Sequence, residues 1–236
     1  MNLTTTPPLL PTEWFYALRT NSEDYKQATN VRLPGLTGLW NLEAISDLTF
    51  CEPENESRLS FGRGGIIQSG SLVLRPYKRG GLIRHINKST YYGISRFQQE
   101  FYVHKAIWRA GLPTVEPIGW AYKTNMLGSQ GVFITRFTKG SPWPHNWNQS
   151  LNFLHQLKTL LTALCSWGLY APDLNATNLL LSPDKDLLAL DWDQATWSKR
   201  TDLMERYQER LVRSMKKLGA EASTISKIQR YIENDG

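Results

Sequence analysis

The sequence predicts an α+β protein in two lobes, a small β-rich N-terminal lobe with one main helix and a mainly helical C-terminal lobe. Three observations predict it. Short strand-like runs and glycine turns surround a single helical pattern between about residues 59 and 137. Beyond the proline-containing stretch near residue 140, leucines recur every three or four positions, the period of a helix that buries one face. The chain has 236 residues, 41% hydrophobic and 20% charged, with 9 Trp, 10 Tyr and 8 Phe, which is enough core material for both lobes and excludes wholesale disorder.

Residues 1–50 read as an N-terminal extension, because Pro7, Pro8, Pro11 and Pro34 interrupt every short apolar run; Trp14, Trp40 and Leu42 are expected to pack onto the body. The N-lobe spans 51–140. It opens with a strand-like stretch from Leu59, a Gly-rich turn, a run from Gly65 to Gln68 and a third run from Ser71 to Arg75, with Gly70 at the bend. A basic stretch follows, and then a helix from about Ser95 to Ala110, stopped by Gly111 and Pro113, with Phe97, Phe101, His104, Lys105 and Trp108 marking one face. Strands over Val115–Tyr122 and Gly131–Phe137 enclose a turn.

Residues 139–146 read as a linker, and the C-lobe spans 141–236. Its first helix runs from Leu151 to Trp167, with Leu151, Leu154, Leu157, Leu161 and Leu164 on one face and Gly168 as the stop. A second helix carries Leu203, Tyr207, Leu211, Met215 and Leu218, and a last short one carries Ile225, Ile228 and Ile232.

Charge and cysteine usage narrow the function. Lys plus Arg is 27 against 21 for Asp plus Glu, a net +6 with a pI near 9.3, so the surface attracts phosphate-bearing partners: nucleotide, nucleic acid or anionic lipid. Cys51 and Cys165 are too few for a disulfide framework or a cysteine zinc site, which points to free thiols in a reducing compartment. The N-terminus lacks a basic start before an apolar core, and no run of about 18 apolar residues occurs, so neither secretion nor a membrane span is expected. His85, His104, His145 and His155 lack zinc-ligand spacing, and no Ser/His/Asp or Cys/His set is recognisable, which removes hydrolase chemistry. The aromatics, Trp143 and Trp147 among them, read as packing and not as a base-stacking platform, so no nucleic-acid partner is expected.

Chemistry concentrates between Leu169 and Asp193. Leu179–Leu181 and Leu188–Leu190 flank a polar Pro183-Asp184-Lys185-Asp186 turn, a hairpin signal. Pairing about a four-residue turn sets Leu181 opposite Leu188 and Asn178 opposite Asp191, with Asp173 in the loop that leads in. Carboxylates and a carboxamide gathered at the open end of a hairpin supply the hard oxygen ligands that suit Mg²⁺ on nucleotide phosphates. Asp-x-x-x-x-Asn, a hairpin and a second Asp also follow the catalytic-loop and metal-loop order of protein-kinase-like phosphotransferases. The Gly-rich turn Gly62-Arg63-Gly64-Gly65 and a helix bearing Glu100 precede them in the expected sequence.

Several phrases carry a closer resemblance. Leu72-Val-Leu-Arg75-Pro-Tyr-Lys78-Arg79-Gly80-Gly81-Leu82 resembles Leu-Arg-x-Tyr-x-Arg-Gly-Gly-Leu of the lipopolysaccharide-core kinases, the family of the 3-deoxy-D-manno-octulosonic acid (Kdo) kinases. Ala110-Gly-Leu-Pro113-x-x-x-Pro117 agrees with it as well. Asp173-Leu-Asn175-Ala-x-Asn178-Leu-Leu-Leu resembles that family's Asp-Leu-Asn-Ala-His-Asn-Ile-Leu-Leu, Asp191-Trp-Asp193 its Asp-Phe-Asp, and Arg210-Leu-x-Arg213-Ser214 a motif late in the chain. The resemblance covers roughly residues 60–218. Two positions depart from it: Ala171 stands where the family has His two residues before the catalytic Asp, and Thr177 where it has a second His.

The resemblance implies a two-lobed protein-kinase-like fold that binds Mg-ATP between its lobes and phosphorylates a Kdo hydroxyl, by likeness the 4-hydroxyl, of a Kdo–lipid A precursor. Residues 51–140 would bind the nucleotide and 141–236 would hold the catalytic and metal loops. Asp173 would take or orient the proton of the attacking hydroxyl. Asn175, where protein kinases usually carry Lys, suits a small-molecule or glycolipid acceptor. Asn178 and Asp191 would hold Mg²⁺; Asp193 either shares in it or faces solvent. Gly62, Arg63, Gly64 and Gly65 would cover the phosphates. Arg75 takes the place of the strand Lys that contacts phosphates and pairs with a helix carboxylate, here Glu100, with Lys78 as the other candidate. Arg79, Gly80, Gly81 and Arg84 would face the anionic acceptor and the membrane surface. Such an enzyme works where ATP is, in the cytoplasm or peripherally on the cytoplasmic face of the inner membrane. Two alternatives stay open, a kinase of the same fold acting on another sugar such as a core heptose, and a non-catalytic nucleotide-binding scaffold.

Overall fold

The computed structural model describes residues 26–45, 48, 50, 56–58, 65–78, 90–147 and 149–233, and shows a mixed α/β chain. Its Cα positions cluster into two compact units. Among the described residues, the first takes 26–105 and 116–137, and the second takes 106–115 and 138–233.

The first unit is built on a seven-stranded antiparallel sheet. Its strands are β1 (Lys26–Arg32), β2 (Leu39–Ala44), β3 (Glu56–Arg58), β4 (Ile67–Ser69), β5 (Leu72–Pro76), β6 (Pro117–Asn125) and β7 (Gly128–Arg136), in the spatial order β1-β2-β6-β7-β5-β4-β3. The strands from Ile67 to Arg136 fall close to where the sequence predicts them. β6 and β7 run further than expected, because only Met126 and Leu127 separate the paired residues Asn125 and Gly128, and the Asn125 side chain accepts the Leu127 amide at 2.9 Å. β1 and β2 are additional. Trp40, Leu42 and Ala44 alternate inward along β2, and Leu42 pairs with Ala121 of β6, so these residues do pack on the body, as sheet strands.

Alternation divides the sheet into two faces. Leu42, Leu74, Ile118, Ala121, Val132 and Ile134 lie in a buried aliphatic cluster with Trp40 and Leu72 on one side. Trp120 and Phe133, which pair across β6 and β7, point to the other, and so does Arg75, which pairs with Phe133 across β5 and β7. Helix α1 (Ser95–Arg109) carries the rings that meet this second face. Phe97 sits so close to β7 that a Cβ on Gly131 would lie 2.6 Å from its ring. Phe97 also contacts Tyr77 and Tyr91 at centroid separations of 4.5 and 5.4 Å, and His104 stacks on Phe133 at 5.4 Å. Each such ring taken from water contributes about 1.5–3 kcal/mol. The predicted apolar face is off at its end: Ile107 is fully buried, whereas Trp108 is exposed.

The second unit is held by α2 (Leu151–Ser166), α3 (Leu203–Lys217) and α4 (Ala222–Glu233). Ser150 caps α2 by accepting the Phe153 amide at 3.3 Å, and Gly168 at φ +64° ends the segment behind it. Leu154, Leu157, Leu161 and Leu164 are buried as their spacing predicts, but Leu151 is exposed on the first turn. The stretch read as a linker is folded. It forms β8 (Ser141–Pro142) and a 3-10 turn (Trp143–His145) whose fully buried Trp143 stacks on Phe153 at 4.9 Å.

Four short strands complete the unit: β9 (Leu169–Tyr170), β10 (Leu179–Leu181), β11 (Leu187–Ala189) and β12 (Thr196–Trp197). β10 pairs with β8 and β11, and β9 with β12. The β10–β11 hairpin departs by one residue from its predicted register. Leu181 pairs with Leu187, not Leu188, because the turn holds three residues, Pro183, Asp184 and Lys185, with Lys185 at φ +65°. Ser182 and Asp186 close it through the Ser182 amide and the Asp186 carbonyl at 2.9 Å.

Candidate active site

The sheet unit brings Arg75 and Glu100 together. Strand alternation puts Arg75 on the α1 side of β5, where its guanidinium lies 5.3 Å from the Tyr77 ring centroid and 5.5 Å from that of Phe133. Glu100, at a helix position whose side chain is only 1% exposed, accepts a hydrogen bond from Arg75 Nη2. A carboxylate this buried requires such a partner. Arg75 is therefore anchored on its strand at the position predicted to meet phosphates. Lys78 lies nearby in sequence but is exposed, and its Nζ rests where a Cβ on Gly65 would come within 2.8 Å of it. Gly65, at φ +97°, accommodates that approach. Gly62, Arg63, Gly64, Arg79, Gly80, Gly81 and Arg84 lie outside the described residues.

The second unit ties Asp173, Asn175 and Asn178 into one loop. Asn175 caps the 3-10 turn Ala176–Asn178, its Oδ1 accepting the Thr177 amide at 2.9 Å and the Thr177 hydroxyl at 2.6 Å. Its Nδ2 and that of Asn178 both donate to the Asp173 carbonyl at 2.8 Å. Two amides converging on one carbonyl fix the backbone that carries the Asp173 carboxylate. The carboxylate itself has Gln194 Nε2 at 3.4 Å and Arg210 Nη2 at 4.0 Å. With its Nδ2 bound to the loop, Asn178 has an Oδ1 that accepts no hydrogen bond from the described residues.

The corrected hairpin register changes the place of Asp191. The Leu190 amide donates to the Asn178 carbonyl at 3.0 Å, so Leu190 stands opposite Asn178 and Asp191 follows one residue later, diagonal to it. Asp191 Oδ1 accepts the Asp193 amide at 3.1 Å, which bends the segment. Between the two acids, Trp192 is fully buried and donates to Thr114 Oγ1 at 2.9 Å; that hydroxyl donates to the Ala189 carbonyl at 2.7 Å. A buried indole held at its one polar atom keeps the flanking carboxylates in place. Among the described residues no three His, Cys, Asp or Glu side chains form a metal cluster. The donor set here is of another kind, the Asn178 carboxamide oxygen and the Asp191 carboxylate. Two hard oxygens that leave most ligand positions to water and phosphate fit Mg²⁺.

Helix α3 supplies side chains to which the sequence assigns no role. Tyr207 accepts the Ala171 amide at 2.9 Å and donates to the Leu169 carbonyl at 2.7 Å. Ser214 accepts the Ala176 amide at 3.0 Å. With Arg210 at Asp173, one side of this helix touches the loop before, at and after its carboxylate. Burial pushes the Tyr207 hydroxyl well above its ordinary pKa, so it stays a neutral donor. The spacing 207, 210, 214 is the available signal, since residues three and four apart share a helix side.

The family model for the lipopolysaccharide kinase (Kdo/WaaP) family matches residues 49–232. The chain belongs to this family. It is also similar to the 3-deoxy-D-manno-octulosonic acid kinase of Xylella fastidiosa strain M12, 29% identical over 162 residues and covering 65% of each chain. The protein of the same name from strain 9a5c is 28% identical over 169 residues, again over 65% of each. The chain thus spans about 65% of the length of the relatives it matches. Arg75 with Glu100, and the Asp173–Asp193 segment, lie inside the stretch that matches the Kdo/WaaP model. So does Ala171, where the side chain is too small to brace the loop and Tyr207 of α3 does so instead.

Proposed function

We propose that this chain is an ATP-dependent kinase that phosphorylates a Kdo hydroxyl, at the 4-position, on a Kdo–lipid A precursor during lipopolysaccharide core synthesis. The observation that carries this reading is the loop in which Asn175 and Asn178 both bind the Asp173 carbonyl, presenting a carboxylate and a carboxamide oxygen from one rigid turn. Membership of the Kdo/WaaP family and the names of the relatives support it.

The sheet unit is read as the nucleotide-binding lobe and the second unit as the catalytic lobe of a two-lobed protein-kinase-like fold. Arg75, held by Glu100 and backed by Tyr77 and Phe133, meets the nucleotide phosphates. Asn178 and Asp191 would hold Mg²⁺, which when bound would supply positive charge to the nucleotide phosphates. Asp173 orients the acceptor hydroxyl and receives its proton, while Asn175 braces the turn. Phosphoryl transfer passes through a loose transition state, so positioning of this kind does most of the work. The net charge of +6 suits peripheral contact with an anionic bilayer, which would place the enzyme on the cytoplasmic face of the inner membrane. No helix among the described residues is long and apolar enough to cross a membrane.

Product analysis tests the reading. Incubation of Kdo–lipid IVA with Mg-ATP is expected to give a new phosphate monoester coupled to the Kdo 4-position in ³¹P–¹H correlation spectra. A monoester elsewhere on Kdo would correct the position, and one formed only on heptosylated cores would overturn the acceptor.

A further inference from the structure

Helix α3 has a basic strip that borders the side gripping the loop and shares Arg210 with it. Arg206, Arg210, Arg213 and Lys217 recur at four, three and four residues, which sets them along one line of the helix. Glu205 lies roughly 100° round the helix from Arg206, and Glu209 borders the line, four residues before Arg213.

The members of the strip differ in what they already bind. Arg206 is committed to Asp202 at 2.9 Å. Arg213 and Lys217 are exposed and make no ion pair with any described residue. Arg210 is intermediate and carries the decisive detail. Its Nη2 is 4.0 Å from Asp173 Oδ1, too far for a hydrogen bond, and its Nε is buried without a hydrogen-bond partner among the described residues. A solvated surface arginine does not lose water from one nitrogen without gaining an acceptor. This guanidinium is held beside the Asp173 carboxylate with donors to spare.

We infer that Arg210, with Arg213 and Lys217 behind it, is the subsite for an anionic group of the phosphoryl acceptor, a carboxylate or a phosphate carried close to the reacting hydroxyl. The inference rests on the kinase reading for the role of Asp173. A hydroxyl at Asp173 and an anion at Arg210 are neighbours because the two side chains are, and the planar fork of a guanidinium matches either oxyanion with two parallel bonds. Lys217, seven residues on, lies about 10 Å further along the axis, where it meets a second anion of an extended acceptor. The strip would make the enzyme select anionic sugars over neutral ones.

Steady-state kinetics with Kdo–lipid IVA tests this. Arg210→Gln is expected to raise the acceptor KM at least about tenfold with the ATP KM unchanged, and Arg210→Lys to restore part of the loss. The surface double variant Arg213→Gln/Lys217→Gln, which perturbs no buried group, is expected to raise the acceptor KM several-fold and to flatten its salt dependence. Two altered acceptors separate the sources: one with the Kdo carboxyl reduced to an alcohol, the other dephosphorylated on its lipid part. The acceptor for which Arg210→Gln no longer matters has lost the group that Arg210 binds. An acceptor KM within twofold of wild type for Arg210→Gln, or an equal rise for both altered acceptors and the parent, overturns the subsite while leaving the kinase intact. Absence of transfer by the wild type overturns the kinase reading, and equilibrium titration with Kdo–lipid IVA then decides the subsite. At least tenfold weaker binding by Arg210→Gln supports it, and equal binding overturns it.

Discussion

The Tyr207 hydroxyl spans the start of the loop that carries Asp173, accepting the Ala171 amide at 2.9 Å and donating to the Leu169 carbonyl at 2.7 Å. Ala171 is where the resembled motif has a histidine, and its methyl can brace nothing. The support comes from a helix, 36 residues later in the chain.

Tyr207→Phe removes both bonds and leaves the ring in place. An amide and a carbonyl become buried without partners, which costs about 1–3 kcal/mol. Melting temperature is expected to fall by several degrees and kcat at least about tenfold, with the ATP KM unchanged, because the loop that carries Asp173 loses its register while the nucleotide contacts stay. Amide hydrogen exchange over Leu169–Asn178 should accelerate selectively. Unchanged exchange there would show that the two bonds do not hold the loop.

Removing Arg75 is expected to be worse for stability than removing both members of its pair. Arg75→Ala takes from Glu100, whose side chain is 1% exposed, its guanidinium partner, and breaking a buried pair from one side costs about 3–5 kcal/mol. Arg75→Ala with Glu100→Gln should recover much of this in denaturant titration without recovering ATP affinity. Recovery of affinity as well would assign the phosphate contact to another residue, Lys78 first.

Gly131 admits no side chain. A Cβ there would lie 2.6 Å from the Phe97 ring, and this contact seats α1 on β7. Gly131→Ala is expected to destabilise by about 1–3 kcal/mol through overpacking. Pairing it with Phe97→Leu should return part of the loss, which a double-mutant cycle would register.

Alkaline pH is expected to unfold the second unit early. Burial raises the Cys165 thiol from 9.0 to about 11 and pushes the Tyr207 hydroxyl up from 10.0. Both groups hold their protons longer folded than unfolded. Their contribution is therefore whole below pH 9 and is lost as pH rises, since the unfolded chain releases protons that the folded one retains. Melting temperature should fall between pH 9 and 11, and less so in Tyr207→Phe than its own lower starting value would give. A flat profile across that range would contradict the burial of both groups.

Much of the fold was legible because its elements announce themselves by period. Leu154, Leu157, Leu161 and Leu164 read as a helix and are buried in one. β2 was equally regular, with Trp40, Leu42 and Ala44 alternating inward, but the prolines before it obscured a strand whose partners, β1 and β6, only the sheet reveals. The loop carrying Asp173 and Asn178 was legible from the Asp-x-x-x-x-Asn order before a hairpin and from the resemblance of its phrase. The register beside it was not, because Lys185 adopts a left-handed conformation that sequence does not announce in a residue other than Gly or Asn. That single backbone angle makes the turn three residues long and moves Asp191 from opposite Asn178 to a diagonal position. The roles of Tyr207 and Ser214 were not legible for a different reason: they act through backbone groups of a distant segment, and only the packed structure brings the two together.

The most direct test of the kinase reading is transfer of radiolabelled γ-phosphate from Mg-ATP to Kdo–lipid IVA by the wild-type chain and by Asp173→Ala. Transfer by the wild type that drops by at least about a thousandfold in the variant, with ATP binding retained, is the expected result. No transfer by the wild type although ATP is bound, or equal transfer by the variant, would contradict it.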